Sequence, residues 1–363
     1  MRTLEIKTTS SKYPVIVGPN CLQTLPDFLK NRMNQLSKIL LITDSTVNQL
    51  YGDKVLHLLM DTPYPVSKFV VESGEQSKSF QQFIDIQTYA LQEKLDRKSL
   101  IIALGGGVVG DLAGFVAATF MRGIPYIQIP TTLLAHDSAV GGKVGINHPL
   151  GKNMIGAFHQ PIAVLYDTLF IKSLPSLELR SGFAEVVKHA FLKGESFLQE
   201  LISIEDIEML DESHLAEIIY KGIEVKAEIV GQDEKEAGIR AYLNLGHTLG
   251  HAVEAEMGYG KLSHGDCVAV GMLFAFSLSE KVFKVDLNYV KIKSWFKSLG
   301  FPVVIPDNLL TEDLISRMIS DKKSTSGQIN MVLIEKPGSV KIEQFTASEL
   351  TNFLESWREE ELV

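Results

Sequence analysis

The segment Leu100-Ile-Ile-Ala-Leu-Gly-Gly-Gly-Val-Val-Gly-Asp-Leu-Ala-Gly constrains this chain more than any other. An apolar run of strand length stops at a glycine cluster, and a helical pattern follows at once. Glycines there let the backbone approach a pyrophosphate, and the N–H groups of a helix start supply partial positive charge for it. Gly105, Gly107 and Gly110 fit the spacing G-x-G-x-x-G, which alone is a weak signal. Further short apolar runs lie at 38–43, 68–71, 126–129 and 162–166, with helical periodicity between several of them, as at 80–95. Together these predict an α/β domain with a doubly wound, mainly parallel, Rossmann-like sheet.

From Leu174 onward the pattern changes. Helical periodicity runs through 177–201, 214–230 and 267–282, and strand candidates return only at 329–334 and 339–342. Ser173-Leu-Pro-Ser marks the change in composition. We therefore expect an α/β nucleotide-binding domain at 1–174 and a mainly helical C-terminal domain at 175–363, with a ligand cleft between them.

The chain has 363 residues, enough for two such cores, and a net charge of -9 with no basic block, which argues against a nucleic-acid partner. Two cysteines, Cys21 and Cys267, are too few and too far apart for a disulfide framework. The first residues lack an apolar secretion signal, and the longest apolar run, 267–276, is about half of a bilayer span. A cytoplasmic location with no membrane partner is expected.

Nine histidines occur, and three stand out by their surroundings. In Asn244-Leu-Gly-His-Thr-Leu-Gly-His-Ala-Val-Glu, His247 and His251 are four apart, on one face of a helix. Asn244, His247, His251 and Glu254 share a polar arc, which Arg240 extends if the helix starts that early. His264 precedes an apolar helix and could reach the same place. In Gly182-Phe-Ala-Glu-Val-Val-Lys-His-Ala, Glu185 and Lys188 share a face among apolar residues, and a buried carboxylate needs a partner. That partner is either a metal, in a Glu/His/His set with an open position suited to Zn2+, or Lys188 in an internal ion pair.

The stretch 130–153 holds Thr131, Thr132, Asp137, Lys143, Lys152 and Asn153 among glycines, and reads as a long functional loop outside the core. Its lysines and Asn153, with Arg122, suit a substrate carrying phosphate and carboxylate. Asp44, at the end of the strand at 38–43, either caps the next helix or meets a ribose hydroxyl.

These segments occur in one order with Gly74-Glu-Gln-Ser-Lys, Met121-Arg-Gly, Gly151-Lys-Asn-Met-Ile-Gly, Phe183-Ala-Glu-Val-Val-Lys-His, His264-Gly and Asp321-Lys-Lys. Over nearly its whole length the chain resembles the 3-dehydroquinate synthase family of the sugar phosphate cyclase superfamily. The resemblance implies NAD contacts at Asp44, Ser73, Gly74, Glu75, Lys78, Gly107, Val108, Val109, Gly110, Asp111, Thr131, Thr132, Lys143, Lys152, Phe170, Ile171, Lys172 and Ser173. It implies Zn2+ or Co2+ on Glu185, His247 and His264. Substrate residues would be Asp137, Lys143, Lys152, Asn153, Lys188, Arg240, Asn244 and His251, with Arg122.

The implied reaction is a phosphate lyase step of the shikimate pathway, toward aromatic amino acid biosynthesis. It converts 3-deoxy-D-arabino-heptulosonate 7-phosphate to 3-dehydroquinate and phosphate. Transient oxidation by NAD, β-elimination of phosphate, re-reduction and intramolecular aldol closure would follow one another. The neighbouring readings are a cyclase of the 2-deoxy-scyllo-inosose synthase type and a metal-dependent polyol dehydrogenase. A homodimer is expected.

Overall fold

A computed structural model describes residues 1–33, 35–258, 260–320 and 328–361 of the chain. The Asp321-Lys-Lys segment lies outside the described residues. The chain forms two compact units, Met1–Leu174 with Asp211–Lys235, and Pro175–Leu210 with Glu236–Val363.

The first unit is built on β1 (Arg2–Lys7), β2 (Lys12–Val17), β3 (Ile39–Asp44), β4 (Val66–Val71), β5 (Leu100–Gly105) and β6 (Tyr126–Pro130), together with β7 (Lys143–His148), β8 (Gly151–Phe158) and β9 (Ala163–Tyr166). Seven of these strands make one sheet in the order β1-β2-β9-β6-β5-β3-β4. All pairings are parallel except β1 with β2. Every residue of β5 and β6 is buried, which is why they read as continuous apolar runs and not as alternation.

Alternate residues of the central strands face opposite cores. Leu40, Ile42, Ile101 and Ala103 pack with helices Phe80–Gln92 and Gly107–Thr119. Leu41, Ile102, Leu104 and Ile127 pack with helices Leu25–Arg32 and Asp53–Met60. The chain therefore leaves β3 toward one face and its neighbour β5 toward the other. That divergence opens a crevice at the carboxyl ends of the two strands, the place where open α/β sheets bind ligands.

Three parts of the first unit differ from the sequence reading. Strands β1 and β2 had no counterpart, because β1 lies at the sheet edge and buries only Ile6 fully. The stretch 130–153, expected to be a loop outside the core, instead supplies a helical turn at Ala135–Ser138 and the β7–β8 hairpin. Val144 and Ile146 of that hairpin are buried against helix Gly107–Thr119. Its glycines serve close backbone approach: Gly145 stands opposite Gly156, and a Cβ on Gly156 would lie 2.3 Å from Val144 O. Finally, Asp211–Lys235, expected in the second domain, belongs to the first unit. Its helix Glu212–Gln232 packs on β1 and β2, and Glu234 accepts hydrogen bonds from Ser10 N and from Gln160 Nε2.

The second unit is helical, with one antiparallel hairpin of β10 (Ile329–Lys336) and β11 (Ser339–Phe345). The periodicity at 177–201 is two helices, Ser176–Lys193 and Glu195–Ile202, broken at Gly194 where φ is 130°. Helix His264–Phe283 is capped by Ser263, whose side chain accepts from Asp266 N, and is buried from Gly265 to Ser279. It lies almost in backbone contact with helix His247–Met257: a Cβ on Gly271 would sit 1.8 Å from Gly246 O, and one on Gly250 2.9 Å from Cys267 O. Among the described residues no helix is long and apolar enough to cross a membrane.

Candidate active site

The second unit brings Glu185, His247 and His264 together, with one potential ligand atom from each within 4.8 Å of the others. Each comes from the start or middle of a different helix: the contact around Gly271 joins the two histidine helices, and Gly265, whose Cβ would lie 2.1 Å from Ser181 O, brings the Glu185 helix against the second of them. His247 Nε2 is 3.3 Å and His264 Nε2 3.2 Å from the same oxygen, Glu185 Oε1. The outer nitrogens are also held. His247 Nδ1 lies 3.1 Å from Leu245 O, and His264 Nδ1 3.1 Å from Glu254 Oε2. Such outer acceptors fix the tautomer and aim of metal-binding imidazoles.

The electrostatics ask for a cation here. Burial lowers the pKa of His247 to about 3, so its ring is neutral. A neutral ring has one N–H, and both Leu245 O and Glu185 Oε1 can only accept, so one of the two ring nitrogens must face an acceptor with its lone pair. Burial would raise Glu185, but the Lys188 ammonium beside it holds it well below the ordinary carboxylate range. A positive charge bound at Nε2 would remove that conflict, leaving the N–H to Leu245 O and the Glu185 oxygen to the charge. The residues fit a divalent ion.

For His264, burial works downward, yet hydrogen bonds to Glu185 and Glu254 outweigh it and raise the pKa to about 9. Metal binding through Nε2 must therefore displace a proton. Zn2+ affinity is expected to rise about tenfold per pH unit from pH 6 to 9 and level off above, which competition titrations at fixed ionic strength would check; a flat profile would contradict it. For the metal-free chain the sign is opposite. A pKa raised from 6.5 contributes stability that is complete below 6.5 and lost as pH rises through about 9.

Lys188 Nζ lies 2.5 Å from Glu185 Oε2, in ion-pair contact but off the hydrogen-bonding direction, so the expected pair exists beside the metal-binding geometry. The half-buried His251 ring stands 5.1 Å from that of His247 and 5.9 Å from that of His264. Arg240 and Asn244 are not on the His247 helix, because Gly246, at φ 80°, separates a 3-10 turn, Ile239–Asn244, from its start. Arg240 is buried, and Asn244 Nδ2 donates to Glu236 Oε1 at 3.3 Å.

In the first unit, one network gathers Glu75, Lys78, Asp111, Lys152 and Asn153. The buried Lys78 ammonium is 2.8 Å from Asp111 Oδ2, donates to Asn153 Oδ1, and lies 3.9 Å from Glu75; Lys152 is 3.8 Å from Glu75. Burial raises the Asp111 carboxyl above its ordinary range despite Lys78. Asn147, overlooked in the sequence, ties the network: its side chain donates to Glu75 Oε1 at 2.7 Å and accepts from Asn153 N at 2.8 Å.

Lys226 was also overlooked. It is buried, ion-pairs with Asp137 Oδ2 at 3.0 Å and donates to Asp137 O. The signal was present: Ile219, Ile223, Lys226 and Val230 follow the core-facing spacing of one helix, so the lysine occupies an apolar position. No hydrogen bond or ion pair among the described residues joins Arg122 to these groups. It is exposed, with φ 71°. Lys143 is exposed at the start of β7.

At the crevice, Asp44 Oδ1 accepts from Val47 N at 2.9 Å and from Ser73 Oγ at 2.9 Å, so that oxygen caps a helix. The glycine run is demanded first by the protein's own packing. A Cβ on Gly105 would meet Val109 at 2.6 Å, one on Gly106 Thr132 at 2.9 Å, and one on Gly110 Gln128 at 2.7 Å. Helix Gly107–Thr119 has no side-chain cap, leaving its first N–H groups to the crevice. The hydroxyls of Thr43, Thr131 and Thr168 are buried without a partner at the carboxyl ends of β3, β6 and β9. Each such group costs about 1–3 kcal/mol unless a ligand satisfies it. Gly107, Thr131 and Thr132 thus stand at this edge with Gly74, whereas the side chains of Val109, Phe170 and Ile171 point into the core. Lys172 is exposed and pairs with Glu212.

Comparison with known proteins accords with this architecture. A solved 2-deoxy-scyllo-inosose synthase complexed with carbaglucose-6-phosphate, NAD+ and Co2+ superposes with a TM-score of 0.88 at 22% identity, covering 98% of this chain and all of that one. A 2-epi-5-epi-valiolone synthase from Streptomyces hygroscopicus subsp. jinggangensis 5008 with NAD+ and Zn2+ bound gives 0.81 at 23%, covering 99% and 100%. The fold is that of the sugar phosphate cyclases. Within that class, residues 68–181 match the 3-dehydroquinate synthase N-terminal family and residues 182–324 the C-terminal one. A 3-dehydroquinate synthase of Bacillus pumilus (strain SAFR-032) is 53% identical over 361 residues, 99% of either chain. The chain belongs to the 3-dehydroquinate synthase family.

Proposed function

We propose that this chain converts 3-deoxy-D-arabino-heptulosonate 7-phosphate to 3-dehydroquinate and phosphate, with NAD and Zn2+ or Co2+ as cofactors. The observation that carries the proposal is the Glu185/His247/His264 cluster, in a chain 53% identical to a 3-dehydroquinate synthase over nearly its full length. When bound, the metal would polarise substrate oxygens and NAD would accept and return a hydride, so the net reaction is not redox.

The chain's own residues supply binding, orientation and proton handling. Glu185, His247 and His264 hold the ion, and Glu254 and Leu245 O aim the two rings. His251, half-buried beside both rings, is assigned to proton transfer at the reacting hydroxyl. Lys188, Arg240 and Asn244 bind anionic and hydroxyl groups of the substrate. Lys152 and Asn153, fixed through Glu75, Lys78 and Asn147, do the same, as do Lys143 and Arg122. Lys226 holds Asp137 in place. The dinucleotide takes the crevice of the first unit. There the orphaned threonine hydroxyls, the free helix start and Asp44 offer hydrogen bonds, and Ser73, Glu75, Lys78, Asp111 and the Phe170–Ser173 backbone complete the assigned contacts.

Incubation with heptulosonate phosphate, catalytic NAD+ and Zn2+ is expected to release phosphate without accumulating NADH. Stoichiometric NADH would instead identify a polyol dehydrogenase. We further propose a cytoplasmic homodimer, which sedimentation equilibrium would test.

A further inference from the structure

We propose that Tyr51 is a positioning residue for the dinucleotide, acting through the turn Thr168–Ser173; the inference rests on the dinucleotide reading above. After β3 the chain makes a short helical turn, then a π-helical turn, Asn48–Gly52, then helix Asp53–Met60. Single π-turns are uncommon and concentrate at functional sites. This one is tightly packed by its own ends: a Cβ on Gly52 would lie 2.3 Å from Asn48 Oδ1, which accepts from Lys68 Nζ at 2.8 Å.

The side chain carried by the turn is Tyr51. Its hydroxyl donates to Ser173 Oγ at 2.6 Å, and Ser173 Oγ donates onward to Phe170 O at 2.9 Å. The Tyr51 ring also packs on Phe170, with centroids 4.4 Å apart. Phe170 is fully buried, and Lys54 Nζ lies 5.8 Å from its ring centroid. The turn after β9 is therefore bound to the turn after β3 by a hydroxyl relay and a ring contact.

Those two strands are not neighbours. β6 and β5 lie between them, so the link spans three strand spacings, about 14 Å. It lies on the face of the sheet that packs helix Asp53–Met60, past the ends of β6 and β5, which lead to Thr131 and the glycine run. The linked turn begins at Thr168, one of the three buried hydroxyls without a partner. Where Tyr51 holds this turn decides whether its hydroxyls and backbone meet a nucleotide, while Tyr51 itself contributes no chemistry.

Tyr51→Phe keeps the ring and removes the relay's first donor. By calorimetry on the full chain, its NAD+ Kd is expected to weaken about 3- to 10-fold, the effect of one net hydrogen bond. Ser173→Ala should weaken it similarly, and the double variant no further than either single one. Zn2+ affinity and kcat at saturating NAD+ should stay unchanged in Tyr51→Phe while KM for NAD+ rises. If the unaltered chain binds NAD+ and Tyr51→Phe binds it equally well, the positioning role is overturned and the dinucleotide reading stands. Absence of NAD+ binding by the unaltered chain overturns both. Additive effects overturn the relay, because Ser173 would then act without Tyr51. A parallel loss of Zn2+ affinity overturns it in favour of general destabilisation.

Discussion

Replacing His247 with Ala is expected to abolish metal binding and turnover together. The ring supplies one of three ligand atoms, and its neutral Nε2 is already directed at the shared Glu185 oxygen. Without it, the ion retains one imidazole and one carboxylate. Removing only a supporting partner, as in Glu254→Ala, should weaken metal affinity by roughly 10- to 100-fold, and loss of the ligand itself by more. Bound Zn2+ measured by elemental analysis, alongside phosphate release, is the test. Normal turnover in the variant would sink the metal assignment.

The second large effect is expected from a residue that touches no ligand. Gly271→Ala places a methyl 1.8 Å from Gly246 O and near Gly250 N, where backbone is the obstacle and no flexible side chain can yield. Helices His247–Met257 and His264–Phe283 must separate, at a cost of about 3 kcal/mol or more in the overpacked core. Because His247 and His264 begin those two helices, their spacing changes as well. Both the thermal midpoint and Zn2+ affinity should fall. A variant with unchanged midpoint and unchanged affinity would show that the helices can part without consequence for the site.

The central sheet was legible because strands buried on both faces must be apolar throughout, as in Leu100-Ile-Ile-Ala-Leu. Helices announced themselves by period. The cluster of Glu185 with His247 and His264 could be suspected from polar residues in apolar surroundings, since burying them without partners is costly. What stayed hidden depends on contacts distant in sequence. Gly145 read as a loop-former, although its purpose is the approach of its strand to Gly156 on the facing one. Asn244 and Arg240 seemed to continue a helix that Gly246 stops. Lys226 stood at a core-facing position but was passed over without its partner, Asp137. The membership of helix Glu212–Gln232 could not be read from its own pattern, because an apolar stripe does not say which surface covers it.

That last feature bears on how the protein is made. The first unit is discontinuous: its sheet is complete at Tyr166, but β1 and β2 wait for a helix that follows a whole segment of the other unit. On the ribosome the sheet cannot acquire its full cover until residue 235 has emerged. Until then the apolar faces of Ile218, Ile219 and Ile223 and the surface they meet are both bare. A nascent chain halted before that point would hold an intact sheet and an uncovered edge, a species for chaperones to bind and for proteases to find.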